Sequence, residues 1–332
     1  MTDRTRGVSV QTSPHPTSAK PASGARKNPT LRRVVTRGAT LLITLLVALT
    51  MAFLLGRLSG DPVATILGPM ASPEQREALR VELGLDQPLI VQYLQYMGGI
   101  LTGDLGQSLQ FYQSNVSLIL ERLPFTIQLV GAAMLLAIAI GVPLGVLAAT
   151  REGSVWDRIA STFALIGQSV PVFWMGMMLI ILFAVQLAWL PAGQAGDFRN
   201  LILPACTMAL YPMAQIARLT RAAMSEALVE PFVDSARARG IRSSSIVWRH
   251  AFKNAMMPVL TIVVLQAGIL LSGAVAVEYV YSWPGIGQLA LQAVQFRDFP
   301  LVQAIVVFGA VTFVVLNLLV DIVHTIVDPR VR

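Results

Sequence analysis

Long apolar runs separated by short polar segments dominate the chain and set its architecture. Six runs have roughly the 20-residue length that a helix needs to cross a bilayer. They lie near residues 35–55, 123–149, 159–190, 201–217, 257–277 and 301–323. The pattern therefore predicts an all-α polytopic membrane protein with about six transmembrane helices.

Prolines subdivide this pattern. Pro124 stands near the start of the second run, where its missing N–H is tolerated at the first position of a helix. The third run is too long for one straight span, and Pro171 is predicted to kink or divide it. Pro204 and Pro212 lie within the fourth run, where neighbouring helices or a cavity must satisfy the freed carbonyls.

Composition supports the membrane assignment. Only 13% of the 332 residues are charged, against about a quarter in soluble domains. The net charge of +7 arises from basic residues in particular loops, which indicates membrane orientation rather than nucleic-acid binding. A single cysteine, Cys206, excludes an intrachain disulfide.

Charge asymmetry predicts the orientation of the chain. Most of the 25 Lys and Arg residues lie before the first run, in the segment 218–256, after the second run or at the C-terminus. The positive-inside rule places these segments, and both termini, in the cytoplasm. Residues 57–122 fall outside and carry helix signals at Ser72, Pro73 and Gly84, which predicts an extracytoplasmic helical layer.

The first 33 residues are rich in Ser, Thr, Pro and basic residues and contain no apolar run. Such a composition cannot bury enough apolar surface to fold. We therefore predict a disordered cytoplasmic tail.

The segment "DSARARGIRSSSIVWRHAFKNAMMP" is polar and rich in arginine, although apolar runs flank it. Gly240 is predicted to end one short helix in a left-handed cap, and serines before Ile246 are predicted to start a second short helix. Two short helices joined by a glycine turn would suit a groove in another protein. The alternative is that the arginines only fix topology.

The sequence contains no recognisable catalytic constellation. It has no GxxxxGK[ST] phosphate loop, no HExxH and no Cys/His spacing typical of a metal site. We therefore predict no catalytic, cofactor or metal site on this chain. The remaining classes of membrane protein are a channel, a transporter, a receptor and a scaffold.

The spacing D-S-A-x-x-x-G in "FVDSARARG", followed by "HAFKNAMMP", resembles the E-A-A-x-x-x-G motif of ATP-binding-cassette importer permeases. The stretches "GDPVATILG", "SVPVFWMG", "EYVYSWPGIG" and "NLLVDIVHTIVDPRVR" are similar to the dipeptide, oligopeptide and nickel branch. The resemblance covers residues 34–332 and is to the first of two permease subunits. Asp234 and Ser235 depart from the motif by replacing Glu and the first Ala.

This resemblance implies a type I importer permease fold over residues 34–332, in the bacterial cytoplasmic membrane. Its implied partners are a second permease, two cytoplasmic subunits that carry ATP and Mg, and an extracytoplasmic substrate-binding protein. The segment 218–256 would be the cytoplasmic coupling loop, contacting the ATPase. The implied coupling residues are Asp234, Ser235, Ala236, Arg237, Ala238, Gly240, Ile241 and Arg242.

Two groups of residues are candidates for the translocation path or its gate. The first group consists of Gln168, Ser169 and Pro171, because a proline kink with polar neighbours is best tolerated facing a cavity. Helix packing through small or polar residues is the alternative for this group. The second group consists of Glu278, Trp283 and Gly285.

This second group lies after the fifth run and contains a Pro-Gly-x-Gly turn. An outer gate loop and a belt of interfacial aromatic residues are both compatible with that sequence.

Two other functions are alternatives to an importer subunit. An ion-coupled carrier would need titratable residues at mid-membrane, and Asp321 and His324 lie near the end of the last run instead. A scaffold or sensor would not need spans broken by proline. Within the importer interpretation, the cargo stays open between dipeptide, oligopeptide, glutathione, haem and a nickel chelate.

Overall fold

A computed structural model describes residues 29–58, 63, 67–68, 71–82 and 84–327. Residues 1–28 of the predicted tail, and the side chains of Asp321 and His324, lie outside the described residues. The chain divides into two units, residues 1–43 and 44–332. The first helix begins in the first unit, and the other described elements belong to the second unit.

The described secondary structure is helical, apart from an isolated bridge between Gln107 and Ser114. In chain order the helices are α1 (Pro29–Leu58), α2 (Pro73–Glu82), α3 (Leu89–Thr102), α4 (Asn115–Thr150), α5 (Val155–Ser169), α6 (Val172–Leu179, continued by the π-helical Ile180–Gln186), α7 (Phe198–Leu228), α8 (Pro231–Ala238), α9 (Ser243–Ser245, the π-helical Ile246–Ala251 and Phe252–Gly273), α10 (Val275–Val280), α11 (Ile286–Gln295) and α12 (Phe299–Val327).

The predicted all-α membrane architecture is confirmed. Within the described residues, α4, α7, α9 and α12 are each long and apolar enough to cross a bilayer. Helices α5 and α6 form a fifth candidate span, bent by 107° at the break before Pro171, as the proline predicts. Helix α1 contributes a shorter apolar stretch, Gly38–Leu54.

Two predicted boundaries are wrong. Pro124 lies inside α4, which begins after Ser114 and therefore includes the last residues of the predicted outer layer. Helix α7 continues to Leu228, so Arg218 and Arg221 are helical rather than part of a loop. Apolar runs mark only the part of a helix that lipid requires, whereas the helix itself extends into polar sequence.

The small layer after α1 contains two helices, α2 and α3, joined by turns and irregular segments. The Ser72 hydroxyl accepts the N–H of Gln75 at 3.3 Å, and the Gln75 side chain accepts the N–H of Ser72 at 3.0 Å, which forms the predicted cap of α2. Helix α3 packs on α1, where the rings of Phe53 and Tyr93 lie 5.3 Å apart.

Helix α7 lies at the centre of the bundle and packs most extensively on α4. Two glycines allow this approach. A Cβ at Gly141 would lie 2.8 Å from the Met213 carbonyl oxygen, and one at Gly145 would lie 2.5 Å from that of Ala217. Glycine at a membrane helix interface lets two backbones come this close. The buried centre of α7 thereby positions the two regions described next, which adjoin opposite ends of α9.

Candidate functional site

The segment between α7 and α9, residues 229–242, is called the α8 loop. Pro231 occupies the first turn of α8, and Gly240 ends the helix with φ of +75°. The N–H of Gly240 donates to the Arg237 carbonyl at 2.9 Å, and the N–H of Ile241 donates to the Ala236 carbonyl at 3.2 Å. This is the hydrogen-bond pair of a Schellman cap, so the predicted left-handed glycine cap is confirmed.

The α8 loop packs against the start of α9. Val233, Ala236 and Ile246 are almost completely buried and form one apolar cluster, which Phe232 and Ile241 complete. Ile246 belongs to α9, so the cluster joins α8 to that helix.

The second short helix predicted here is not separate. Residues from Ser243 onward run without a break into the membrane-crossing part of α9. The only proline on the way, Pro258, is accommodated inside the helix. A force applied to α8 would therefore act directly on α9.

The opposite face of α8 is polar and open. The side chains of Asp234 and Arg237 are 78% and 64% exposed and form an ion pair at 3.3 Å. Ser235 donates its hydroxyl to the Pro231 carbonyl at 3.0 Å and is also exposed. Ala238, Gly240 and Arg242 are exposed too, whereas Ala236 is buried and Ile241 is half-buried.

Sequence reasoning missed an exposed aromatic residue in the part of α9 that follows the α8 loop. Trp248, in the π-helical part of α9, is 52% exposed, and its ring lies 5.5 Å from that of Phe252. Trp is enriched among the residues that contribute most to protein–protein binding. The available signal was an aromatic residue within a segment that otherwise reads as a charged loop.

An ion pair between α5 and α7 was also missed. Asp157 in α5 is 7% exposed, and its carboxylate contacts the guanidinium of Arg221 in α7 at 2.9 and 3.0 Å. The same carboxylate accepts the N–H of Gly153 at 3.0 Å. The sequence assigns Arg221 only a role in fixing the topology. Asp157 lies 64 residues earlier, and no sequence pattern links the two residues.

The path candidates of the third run lie at the α5–α6 break. Pro171 precedes the first residue of α6, and Ser169 donates its hydroxyl to the Leu165 carbonyl at 2.8 Å. The Gln168 side-chain oxygen accepts a hydrogen bond from Gln215 of α7 at 3.3 Å. The break is thus tied to the central helix by a polar contact, and its role in the path stays a prediction.

The other path candidates lie together in the region of residues 275–288, called the α10 corner. Glu278 is completely buried and accepts hydrogen bonds from the Thr126 hydroxyl at 2.7 Å and the Gln288 N–H at 3.0 Å. A Cβ at Gly285 would lie 2.1 Å from the Glu278 carboxylate. Burial raises the pKa of the Glu278 carboxyl, although these hydrogen bonds oppose the shift.

Aromatic residues complete the α10 corner. The Trp283 indole donates to the Phe125 carbonyl at 2.9 Å, and the Tyr281 hydroxyl lies 2.7 Å from that of Thr207. Both rings are 1% exposed, so neither belongs to an interfacial belt. Tyr279, 58% exposed, does fit one. The gate assignment of Glu278, Trp283 and Gly285 remains a prediction.

Among the described residues, no group of three or more His, Cys, Asp or Glu side chains could hold a metal ion.

Comparisons with known proteins cover most of the chain. Residues 141–332 match the family described as binding-protein-dependent transport system inner membrane component, and residues 30–130 match its N-terminal counterpart. A protein of Brucella abortus (strain 2308), named as a peptide transport system permease, is 41% identical over 298 residues, covering 87% of this chain and 95% of its own. The dipeptide transport system permease of Escherichia coli K12 is 39% identical over 316 residues, covering 86% and 93%.

A solved structure shares the fold. An inward-facing methionine ATP-binding-cassette transporter aligns with a TM-score of 0.51 at 18% identity, covering 64% of this chain and 97% of its own.

Proposed function

The chain belongs to the family of binding-protein-dependent transport system inner membrane components, and from that membership we propose that it is a permease subunit of an ATP-driven peptide importer. Relatives named as peptide and dipeptide permeases support the cargo class. Several helices able to cross a bilayer suit a subunit that forms one half of a translocation path. The path would be completed by a second, homologous permease.

ATP hydrolysis would take place on separate cytoplasmic subunits, with ATP and Mg bound there. The chain itself has no phosphate-binding loop, so work must enter it through a docked element. An extracytoplasmic binding protein would deliver the peptide to the opposite side. This arrangement requires both termini and the α8 loop in the cytoplasm, as the distribution of Lys and Arg predicts.

The observation that carries the coupling role is the packing of α8 onto the start of α9. The buried Val233, Ala236 and Ile246 fix α8 to a helix that crosses the membrane. Movement of a partner bound to α8 would therefore tilt or shift α9 instead of bending a loop. Coupling between the ATPase and the translocation path requires a rigid element with two alternative positions, and binding at either site must favour one of those positions.

The open face of α8 suits a protein groove. Asp234 and Arg237 present both signs of charge, and the exposed ring of Trp248 lies on the adjoining part of α9. Charged side chains steer and orient a partner, while an aromatic side chain supplies buried contact area. We assign this face to an ATPase subunit.

Two substitutions test the assignment in the assembled importer. Gly240→Val strains the left-handed cap, and Asp234→Arg reverses a charge on the open face. Both should reduce peptide import and co-purification of the ATPase at matched membrane levels. Gly103→Val is the matched control, since Gly103 also has positive φ in open surroundings but caps α3.

Import and ATPase retention at the parental level in both variants would contradict the coupling role and leave the arginines as topology anchors. Transport by the purified chain alone, driven by a proton gradient in liposomes, would favour an ion-coupled carrier instead. We expect neither result.

A further inference from the structure

The central helix α7 leaves only a narrow strip of its surface open over residues 201–220. The two exposed side chains in this stretch are Tyr211 and Arg218, and the half-buried Gln215 lies between them. The spacings of four and three residues place all three on one face of the helix. Ile202, Cys206, Leu210 and Leu219 are also half-buried, so the polar part of the uncovered surface is the strip of Tyr211, Gln215 and Arg218.

The open face of α4 is richer in apolar side chains. This helix exposes Glu121 and Gln128, but it also exposes four large apolar side chains that suit lipid. They are Leu120, Ile127, Leu135 and Ile140. A guanidinium and an amide facing hydrocarbon would be strongly unfavourable, so ionisable residues in spans generally face a protein interior or a water-filled cavity. The α7 strip is therefore unsuited to lipid.

Hydrogen bonds join the strip into a continuous polar track. Gln215 donates to the Tyr211 hydroxyl at 3.2 Å and to Gln168 at 3.3 Å, and its oxygen accepts from Arg218 at 2.9 Å. Through Gln168 the track reaches the α5–α6 break, where backbone carbonyls lose their helical partners. A cavity of about 210 Å³ lies beside it, lined by small side chains together with Gln168, Arg218 and Arg221.

The two arginines at this cavity differ in their charge balance. Arg221 is neutralised by the carboxylate of Asp157. Among the side chains that the structure describes, Arg218 has no acidic partner, and its side-chain hydrogen bond goes to the neutral Gln215. An uncompensated guanidinium is the side chain best suited to hold a carboxylate, with two parallel hydrogen bonds.

We propose that the strip of Tyr211, Gln215 and Arg218, together with Gln168, lines the translocation path, and that Arg218 receives the C-terminal carboxylate of the passing peptide. The amides and the hydroxyl both donate and accept hydrogen bonds, which matches the N–H and C=O groups of a peptide backbone. This inference rests on the proposed import of peptides.

Water access tests the strip independently of cargo. In an importer carrying Cys206→Ala, Gln215→Cys should react with a membrane-impermeant maleimide about tenfold faster than Ile127→Cys, because a thiol ionises in water and not in lipid. Ile127 is the control because it lies on the open apolar face of α4. Equal, slow labelling of both cysteines would place the strip against lipid or the second permease and overturn the proposal.

The carboxylate role is tested by import of trialanine and trialanine amide into proteoliposomes containing the complete importer. Arg218→Gln should lower trialanine import about tenfold, as expected for loss of a charged hydrogen bond, whereas Arg218→Lys keeps the charge but not the paired hydrogen bonds and should lower import less. Import of the amide, relative to the parent, should fall much less. Arg158→Gln is the control, since Arg158 is also exposed and starts α5 outside this track.

Equal import by Arg218→Gln and Arg158→Gln would overturn the carboxylate role. So would loss of the ATPase from the Arg218→Gln complex, because that result would make Arg218 an assembly residue. If the parent imports neither peptide, the proposed function fails instead, and the labelling experiment still decides whether the strip faces water.

Discussion

The α8 loop and the α10 corner are both short connections that contain a glycine turn, but the rest of the chain holds them very differently. The α8 loop buries Val233 and Ala236 against Ile246 of α9 and leaves a polar face open. The α10 corner buries a carboxylate and two aromatic rings completely. Its side chains bond to residues of α4, α6 and α7.

This difference indicates whether each region is completed by this chain or leaves a surface for a partner protein. The buried polar groups of the α10 corner are hydrogen-bonded within the chain, and these bonds hold helices relative to one another. The α8 loop is ordered by its cap and its small apolar cluster, but its charged face gains little stability by itself. Residues of the corner should therefore affect folding, and residues of the loop should affect coupling.

The largest effect is expected at Trp283. Its ring is 1% exposed and its indole N–H is bonded to the Phe125 carbonyl, so Trp283→Ala should lower the free energy of unfolding by about 3–5 kcal/mol. Thermal unfolding of the purified chain in detergent measures the change. The neighbouring exposed Tyr279→Ala is the control, and equal unfolding temperatures for the two variants would remove the distinction between corner and surface.

Glu278→Gln should have the next largest effect. An amide can accept at only one of the two positions. Either the Gln288 N–H loses its acceptor, or the Thr126 hydroxyl, which already accepts the N–H of Ile286 at 2.9 Å, must also accept from the amide and loses the acceptor for its own proton. The expected destabilisation is about 1–3 kcal/mol, measured by thermal unfolding beside the exposed control Glu226→Gln. A variant as stable as the parent would show that the carboxylate is not needed for packing.

A smaller effect is expected at Gly240. Nothing lies within 4 Å of a Cβ there, so the strain of Gly240→Val comes from its positive φ alone and should amount to about 1–2 kcal/mol. Asn tolerates this conformation better, so Gly240→Asn should restore most of the loss. Protease sensitivity of the α8 loop measures the local change, and equal sensitivity of both variants would contradict the cap assignment.

The features predicted correctly from the sequence are those with a local signal. Pro171 restricts its own backbone conformation, Gly240 permits a left-handed one, and an apolar run indicates a span whatever its neighbours are. Contacts between distant residues have no such signal, which is why the pairs Asp157–Arg221 and Thr126–Glu278 were missed. The wrong placement of Pro124 at a helix start has a different cause: an apolar run does not show where a helix continues into polar sequence.

Asp234 should show the smallest effect on folding and thereby sharpen the comparison. Its carboxylate is exposed and pairs only with Arg237, three residues later, an arrangement worth about 0.2–0.5 kcal/mol on a helix surface. Asp234→Asn should therefore leave thermal unfolding nearly unchanged, yet reduce co-purification of the ATPase at low salt. The difference from the parent should shrink as salt is raised, because salt screens the charged contact that the substitution removes. The matched substitution Glu226→Gln, on the exposed end of α7, should change neither quantity. Destabilisation of Asp234→Asn comparable to that of Glu278→Gln would mean that the α8 loop, like the α10 corner, serves mainly to hold this chain together.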